Sequence, residues 1–191
     1  MTITQTTYET FWSNAVKGPF GFSDYRARKE GIRRWGFAIP NAEAIDAIAE
    51  LSPIIELGAG TGYWASLLAE AGAEITAYDK DVPSGDSDNY YAFKHTPLHY
   101  EVKQGTEDVL ADSSARTLLL IWPCYNSPFA SNCLKRFAGE YLAFVGEGRW
   151  GCTADDDFFE ELADHWEEVR GVDIPNWDGI HDDLRIYRRN K

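Results

Sequence analysis

Cysteines are few in this 191-residue sequence, and long apolar runs are missing. The three cysteines (Cys124, Cys133 and Cys152) form no Cys-x-x-Cys pair, which argues against a disulfide scaffold and against a zinc or redox motif. No apolar stretch approaches the roughly 18 to 20 residues that a membrane span needs, and the first residues have neither a basic region nor an apolar segment after it. We therefore expect a cytoplasmic protein without a membrane segment.

Positive charge is also scarce. The sequence has 18 Lys and Arg against 31 Asp and Glu, a formal net charge of −13. This charge repels phosphate backbones and anionic lipids, so a nucleic-acid partner is disfavoured, although it stays open. Such a partner would bind residues 24–34, which hold five of the cations. The hydrophobic content of 44% instead predicts one globular domain over residues 1–191 with a full core.

Histidine is rare as well, and only His95 and His99 are spaced in a way that suggests a metal site. If Leu98 begins a strand, the two side chains lie about 13 Å apart, with Pro97 between them. We therefore predict no metal site.

The hydrophobic pattern predicts alternating strands and helices after an N-terminal helix. Apolar residues three and four apart predict helices at 7–17, 41–51, 64–71, 128–138 and 153–166, the last with Thr153 as its N-cap. Short apolar runs predict strands at 54–57, 74–78, 98–103, 117–121, 141–145, 167–174 and 184–188. This order predicts a parallel sheet, and the last two strands should pair antiparallel because no helix joins them. Residues 80–97 are predicted to form a long loop.

Three glycines on alternate positions follow the first predicted strand. Glu56 leads into Gly58-Ala59-Gly60-Thr61-Gly62, which opens a helix, so the backbone can approach a ligand at the helix N-terminus. A dinucleotide site matches less well, since its fingerprint is spaced Gly-x-Gly-x-x-Gly and position 63 here is Tyr63. Asp79 follows the second predicted strand, about 20 residues further on, where an acid can bind ribose hydroxyls. The pattern predicts a cofactor loop.

Glu56 to Gly62 followed by Asp79 resembles the cofactor-binding signature of class I S-adenosylmethionine-dependent methyltransferases. The resemblance implies an α/β, Rossmann-like fold with a seven-stranded, mostly parallel sheet, an antiparallel last strand, and a helical extension over residues 1–40 before a core over 41–191. It implies S-adenosylmethionine as the cofactor. The implied cofactor-binding residues are Glu56, Gly58, Ala59, Gly60, Thr61 and Gly62 in the loop, Asp79 on the ribose, Gly105, Thr106 and Glu107 near adenine, and Trp122 and Pro123 after strand four.

Trp122-Pro123-Cys124-Tyr125 is similar to the Asp-Pro-Pro-Tyr motif of amino-group methyltransferases, which holds the target amine. Trp122 cannot accept a hydrogen bond from an amine, so the Pro123 carbonyl and the Tyr125 ring remain as candidates for that role. Alternatively, Trp122 and Tyr125 are large packing groups at the sheet edge.

The loops that follow parallel strands meet at one end of the sheet, and the segment before the last strand should join them. This places Trp177, His181 and Asp182 near the transferred methyl group, at the end of the sheet where the loop with Glu147 leaves strand five. We predict His181 and Asp182 as an acid-base pair, with Tyr125 as a third catalytic candidate, although a solvated histidine or the absence of a dedicated base are alternatives. The predicted substrate-binding residues are Trp35, Tyr125, Glu147 and Trp177.

Three functions follow from these patterns. The first is a methyltransferase that acts on a small molecule or a protein group. The second is a non-catalytic protein that binds the cofactor or a partner through its basic, aromatic N-terminus. The third is a nucleic-acid amino-methyltransferase that uses residues 24–34. Residues 33–40, which combine aromatic and cationic side chains, are expected to form a lid over the ligand; alternatively, the N-terminal residues only pack against the helices of the sheet.

Overall fold

Seven strands form one sheet in this computed structural model, which describes residues 4–16, 25–82 and 98–191. The strands are β1 (Ile54–Leu57), β2 (Ile75–Asp79), β3 (Val102–Gln104), β4 (Thr117–Ile121), β5 (Tyr141–Gly146), β6 (Trp166–Asp173) and β7 (Asp183–Arg189). Their order is β3-β2-β1-β4-β5-β7-β6, with β1 to β5 parallel and β7 antiparallel to both β5 and β6. The predicted fold class, including the antiparallel final pair, is confirmed.

Helices cover both faces of the sheet. They are α1 (Thr7–Ala15), α2 (Tyr25–Trp35), α3 (Ala42–Ala49), α4 (Tyr63–Glu70), α5 (Phe129–Arg136) and α6 (Asp156–His165), and a short 3-10 helix covers Glu107–Leu110. Because strand side chains alternate between faces, Ile54 packs with α3 and α4 whereas Ile55 packs with α5 and α6. β4 is buried along Thr117 to Leu120, as an unbroken apolar strand in mid-sheet should be.

The N-terminal helix α1 is part of the core. Thr6 caps it in a capping box with Glu9, and Tyr8 on its first turn is fully buried. The Tyr8 hydroxyl donates a hydrogen bond to the Gly36 carbonyl and accepts one from Nε1 of Trp177, both at 3.1 Å. Burial raises the pKa of the Tyr8 phenol well above its usual range. The residues before β1 therefore pack against the loop before β7.

Two predicted boundaries were wrong because of long-range hydrogen bonds. β3 begins at Val102 and not at Leu98, since the backbone of His99 donates to the Thr61 carbonyl at 2.9 Å instead of joining the ladder with β2. The N-cap of α6 is Asp155 and not Thr153, whose hydroxyl donates to the Glu147 carbonyl at 2.8 Å.

Most of the loop predicted over residues 80–97 is not covered by the structure. Residues 83–97, which include His95 and Pro97, lie outside the described residues. In the part of the chain that the structure describes, no helix combines the length and the apolar character that crossing a membrane requires.

Candidate cofactor and acceptor site

The glycine loop between β1 and α4 has a left-handed backbone. Gly58, Gly60 and Gly62 have φ values of 76°, 53° and 71°, a region that residues with a Cβ rarely adopt. A Cβ on Gly62 would also lie 2.9 Å from Cβ of Tyr100. The amides of Gly58 and Ala59 both donate to the Tyr78 carbonyl, at 2.9 and 3.0 Å, so the loop is fixed to the end of β2.

Asp79 holds the same loop from the last position of β2. Its Oδ2 accepts a hydrogen bond from the Gly60 amide and its Oδ1 accepts one from the Asp81 amide, both at 2.9 Å. Burial raises the pKa of Asp79, and the two amide bonds partly offset this. The acid that the sequence assigns to the ribose therefore lies directly against the glycine loop.

Glu56 is the most unusual group of this region. Its side chain is buried in β1, and Oε2 has no hydrogen-bond partner among the described residues. Burial, together with the nearby charge of Asp79, raises the pKa of Glu56 to about 8. A buried carboxylate oxygen without a donor is costly, and a ligand that brings a donor would remove that cost. The carboxyl oxygens of Glu56 and Asp79 are hydrogen-bond acceptors, which fits a cofactor that donates from an amino group and hydroxyls, as S-adenosylmethionine does.

The turn after β3 lies next to Asp79. The Gly105 amide donates to the Asp79 carbonyl at 3.0 Å, and a Cβ on Gly105 would meet the Tyr78 ring at 2.7 Å. Oε1 of Glu107 accepts from the side chain of Asn132 on α5, at 3.4 Å. The Thr106 hydroxyl donates to Asp108 at 3.4 Å. Residues 105–107 thus contact both β2 and α5.

Sequence reasoning missed Phe129, the first residue of α5. Its ring lies 3.6 Å from the position of a Gly58 Cβ, so it borders the glycine loop. The helical pattern assigned Ala130, Cys133 and Leu134 to the core, and those residues are buried. Phe129 lies outside the buried stripe of α5 and is only half-buried. No pattern within α5 marks it, because its contact is with the glycine loop, which is distant in sequence.

Trp122 follows β4 and contacts Asp182, which precedes β7. Nε1 of Trp122 donates to Oδ2 of Asp182 at 2.7 Å, and the Trp122 amide donates to the Val145 carbonyl at 2.8 Å. Asp182 is buried, and in the described part of the chain its Oδ1 has no partner. Burial raises the pKa of Asp182 to about 6, and the charges of Glu147 and Asp183 add to the effect.

His181 and Asp182 were predicted as a pair, but in the structure their side chains contact different residues. The His181 side chain is 85% exposed, and its Nδ1 lies 3.6 Å from Oε1 of Glu147. Glu147 is buried and accepts hydrogen bonds from the amides of His181 and Cys152, at 3.0 and 2.8 Å. Burial alone would raise the pKa of Glu147, but the hydrogen bonds from Cys152 and His181 lower it. The histidine therefore faces Glu147, and Asp182 faces Trp122.

The other predicted substrate-binding residues differ in their exposure. Trp35 and Trp177 are buried in an aromatic cluster with Tyr8, in which the Tyr8 and Trp35 rings stack at 4.9 Å. Tyr125 is exposed. The Pro123 carbonyl already accepts a hydrogen bond from the Ala154 amide at 3.0 Å.

Among residues 4–16, 25–82 and 98–191, no three acidic, histidine or cysteine side chains are grouped as metal ligands would be.

No protein-family model and no curated protein sequence matches the chain significantly. Among solved structures, magnesium protoporphyrin IX methyltransferase from Synechocystis PCC 6803 with bound S-adenosylhomocysteine matches with a TM-score of 0.52 at 12% identity, over 97% of this chain and 95% of that one. This chain has the class I methyltransferase fold.

A second structure agrees with this fold assignment. The tRNA (uracil-54, C5)-methyltransferase of Pyrococcus abyssi, in complex with S-adenosylhomocysteine, matches with a TM-score of 0.51 at 13% identity, over 81% of this chain and 40% of that one. Within the class I methyltransferase fold, the glycine loop and Asp79 lie at the carboxyl ends of β1 and β2. Asp182 lies three strands away from the loop, about 14 Å at the usual strand spacing.

Proposed function

We propose that this protein is an S-adenosylmethionine-dependent methyltransferase. The observation that supports it best is the unpartnered, buried oxygen of Glu56 beside a loop of three left-handed glycines, in a chain with the class I methyltransferase fold. Glu56 would accept a hydrogen bond from the amino group of the cofactor, and Asp79 would accept from its ribose hydroxyls. When bound, S-adenosylmethionine supplies a methyl group on a positively charged sulfur.

Asp182 is our candidate for the group that takes the proton from the acceptor. The acceptor atom gains a methyl group and loses a proton, which a base near the reacting atom can accept. Oδ1 of Asp182 is buried and unpartnered among the described residues, while the hydrogen bond from Trp122 holds the carboxyl group in position. With a pKa of about 6, Asp182 is ionised at pH 7 and can accept a proton.

Titration calorimetry with S-adenosylmethionine and S-adenosylhomocysteine tests the cofactor assignment. We expect Asp79→Ala to weaken binding by about 1.5 to 3 kcal/mol, the scale for a hydrogen bond to a charged group. Glu74→Ala is the matched control, because Glu74 is exposed and lies immediately before the other end of β2. Wild-type affinity in Asp79→Ala would remove the assignment.

A turnover assay then separates an enzyme from a non-catalytic binder. The assay follows formation of S-adenosylhomocysteine with candidate acceptors, for the wild type and for Asp182→Asn. We expect Asp182→Asn to lower kcat by about 10²-fold or more, as loss of a general base does, while cofactor affinity stays unchanged. Cofactor binding without turnover on any acceptor class would favour the non-catalytic alternative.

A further inference from the structure

Two exposed aromatic side chains lie on neighbouring loops at the acceptor side. Tyr125, in the loop after β4, is 68% exposed, and Trp150, in the loop after β5, is 91% exposed. The loops are joined by an antiparallel bridge between Cys124 and Thr153. Large apolar side chains exposed close together are typical of interaction sites. We call these two loops, residues 122–127 and 147–154, the aromatic surface.

The backbone of the aromatic surface is strained. In the part of the chain that the structure describes, four non-glycine residues have a left-handed backbone, with φ between 49° and 73°. All four lie in these two loops: Trp122, Asn126, Trp150 and Ala154. Such conformations persist where surrounding contacts impose them, and here the Asn126 amide donates to the Ala154 carbonyl at 2.8 Å. Trp150 faces solvent from these loops, with the guanidinium of Arg149 at 5.9 Å from its ring centroid.

The charge next to the aromatic surface is strongly negative. Residues 146–165 contain seven acidic residues and a single cation, Arg149, and residues 122–130 contain no charged residue. Arg149 is itself paired with Glu160 at 3.1 Å and lies 3.9 Å from Asp156, which places the exposed face of α6 beside the loop. Acids and aromatic faces both attract cations, whereas this charge repels nucleic acid.

We propose that the aromatic surface binds a lysine- or arginine-rich segment of a partner protein and presents one of its amino groups to the acceptor site. This inference rests on the proposed function and names its substrate class. In the reaction the ammonium of the bound lysine first loses one proton to Asp182. The lone pair of the neutral amine then forms a bond to the methyl carbon as the carbon–sulfur bond of S-adenosylmethionine breaks, and a methylammonium ion and S-adenosylhomocysteine leave.

Fluorescence anisotropy with a labelled 12-residue peptide of alternating Lys and Ala tests the binding surface. We expect the wild-type chain to bind the peptide and Trp150→Ala to bind it at least tenfold more weakly. Tyr25→Ala is the aromatic control, because Tyr25 is 76% exposed but lies on α2, and it should bind like the wild type.

The contribution of the acidic residues on α6 to peptide binding can be tested against a closely matched control. We expect the double variant Asp156→Asn with Glu160→Gln to weaken peptide binding at least fivefold. Asp46→Asn with Glu50→Gln removes the same charges at the same spacing from α3 and its C-cap, and Glu50 is also paired with an arginine, Arg170, at 3.3 Å. This control should change affinity less than twofold.

Three outcomes would overturn the inference. They are no peptide binding, equal losses in the two double variants, and tighter binding of a 12-nucleotide single-stranded DNA than of the peptide. Calorimetry with S-adenosylmethionine on the same proteins separates this failure from failure of the proposed function. Absent peptide binding with intact cofactor binding removes only the inference, whereas absent cofactor binding with intact peptide binding removes the proposed function and leaves the surface.

Discussion

The ring of Phe37 stacks on the ring of Trp122, with centroids 4.7 Å apart and planes 9° from parallel. Phe37 belongs to the segment between α2 and α3, and Trp122 follows β4. Because Trp122 also binds Asp182, the stack connects the N-terminal extension to the proposed base. A movement of residues 33–40 would therefore change the surroundings of Asp182.

This connection gives a test of the proposed lid. Hydrogen exchange at residues 33–40 should slow when S-adenosylmethionine binds, because closure over the site would protect their amides. Helix α6 is the internal reference and should exchange equally in both states. Equal protection of residues 33–40 at saturating cofactor would leave only a packing role, which the burial of Trp35, Ala38 and Ile39 already supports.

Gly60→Val should abolish cofactor binding in a chain that stays folded. The φ of Gly60 is 53°, and its amide binds Asp79, so a branched side chain there would strain the loop and occupy the space of the ligand. Gly72→Val is the control, since Gly72 has a φ of 94° with open space around its Cβ position. It should lose some stability and bind normally. Calorimetry and circular dichroism measure both, and binding by a folded Gly60→Val chain would contradict the prediction.

Glu56→Gln should stabilise the fold and weaken cofactor binding. The pKa of Glu56 is raised to about 8, so the folded chain binds a proton more tightly than the unfolded chain does. Stability of the wild type therefore falls as pH rises from about 4.5 to about 8, by up to about 1.4 kcal/mol per pH unit, and the variant should lack this slope. Urea unfolding between pH 5 and 8 measures the difference. Parallel curves for the two proteins would refute the raised pKa of Glu56.

Tyr8→Phe should destabilise the chain by about 1 to 3 kcal/mol, because Trp177 loses an acceptor and the Gly36 carbonyl loses a donor in the core. For a chain of this length the loss corresponds to a fall in Tm of about 2 to 4 °C per kcal/mol. Tyr25→Phe, on the exposed side of α2, should melt like the wild type. An unchanged Tm in Tyr8→Phe would show that these two hydrogen bonds contribute little.

Features set by local sequence were predictable. The apolar runs of β1 and β4 and the glycines between β1 and α4 follow from residue type and spacing, and Asp79 ends β2 beside the loop as its position indicated. Contacts between distant residues were not predictable. The sequence predicts Thr153 as an N-cap, but its hydroxyl donates to the Glu147 carbonyl instead. The sequence pairs Asp182 with His181, whereas in the structure Trp122 donates to Asp182.

The hydrogen bond between Tyr8 and Trp177 joins residues 169 positions apart, and Trp12 similarly donates to the Asn176 carbonyl, 164 positions away. A ribosome makes the early partners first, so Tyr8 and Trp12 emerge long before Trp177 and Asn176, and at first Tyr8 can contact only nearby residues such as Trp35 and Gly36. At about 5 to 20 residues per second Tyr8 and Trp12 wait roughly 10 to 30 s before residue 177 is made. Throughout that interval the nascent chain lacks both of these long-range hydrogen bonds, so the N-terminal helix cannot complete its packing until the loop before β7 has been made.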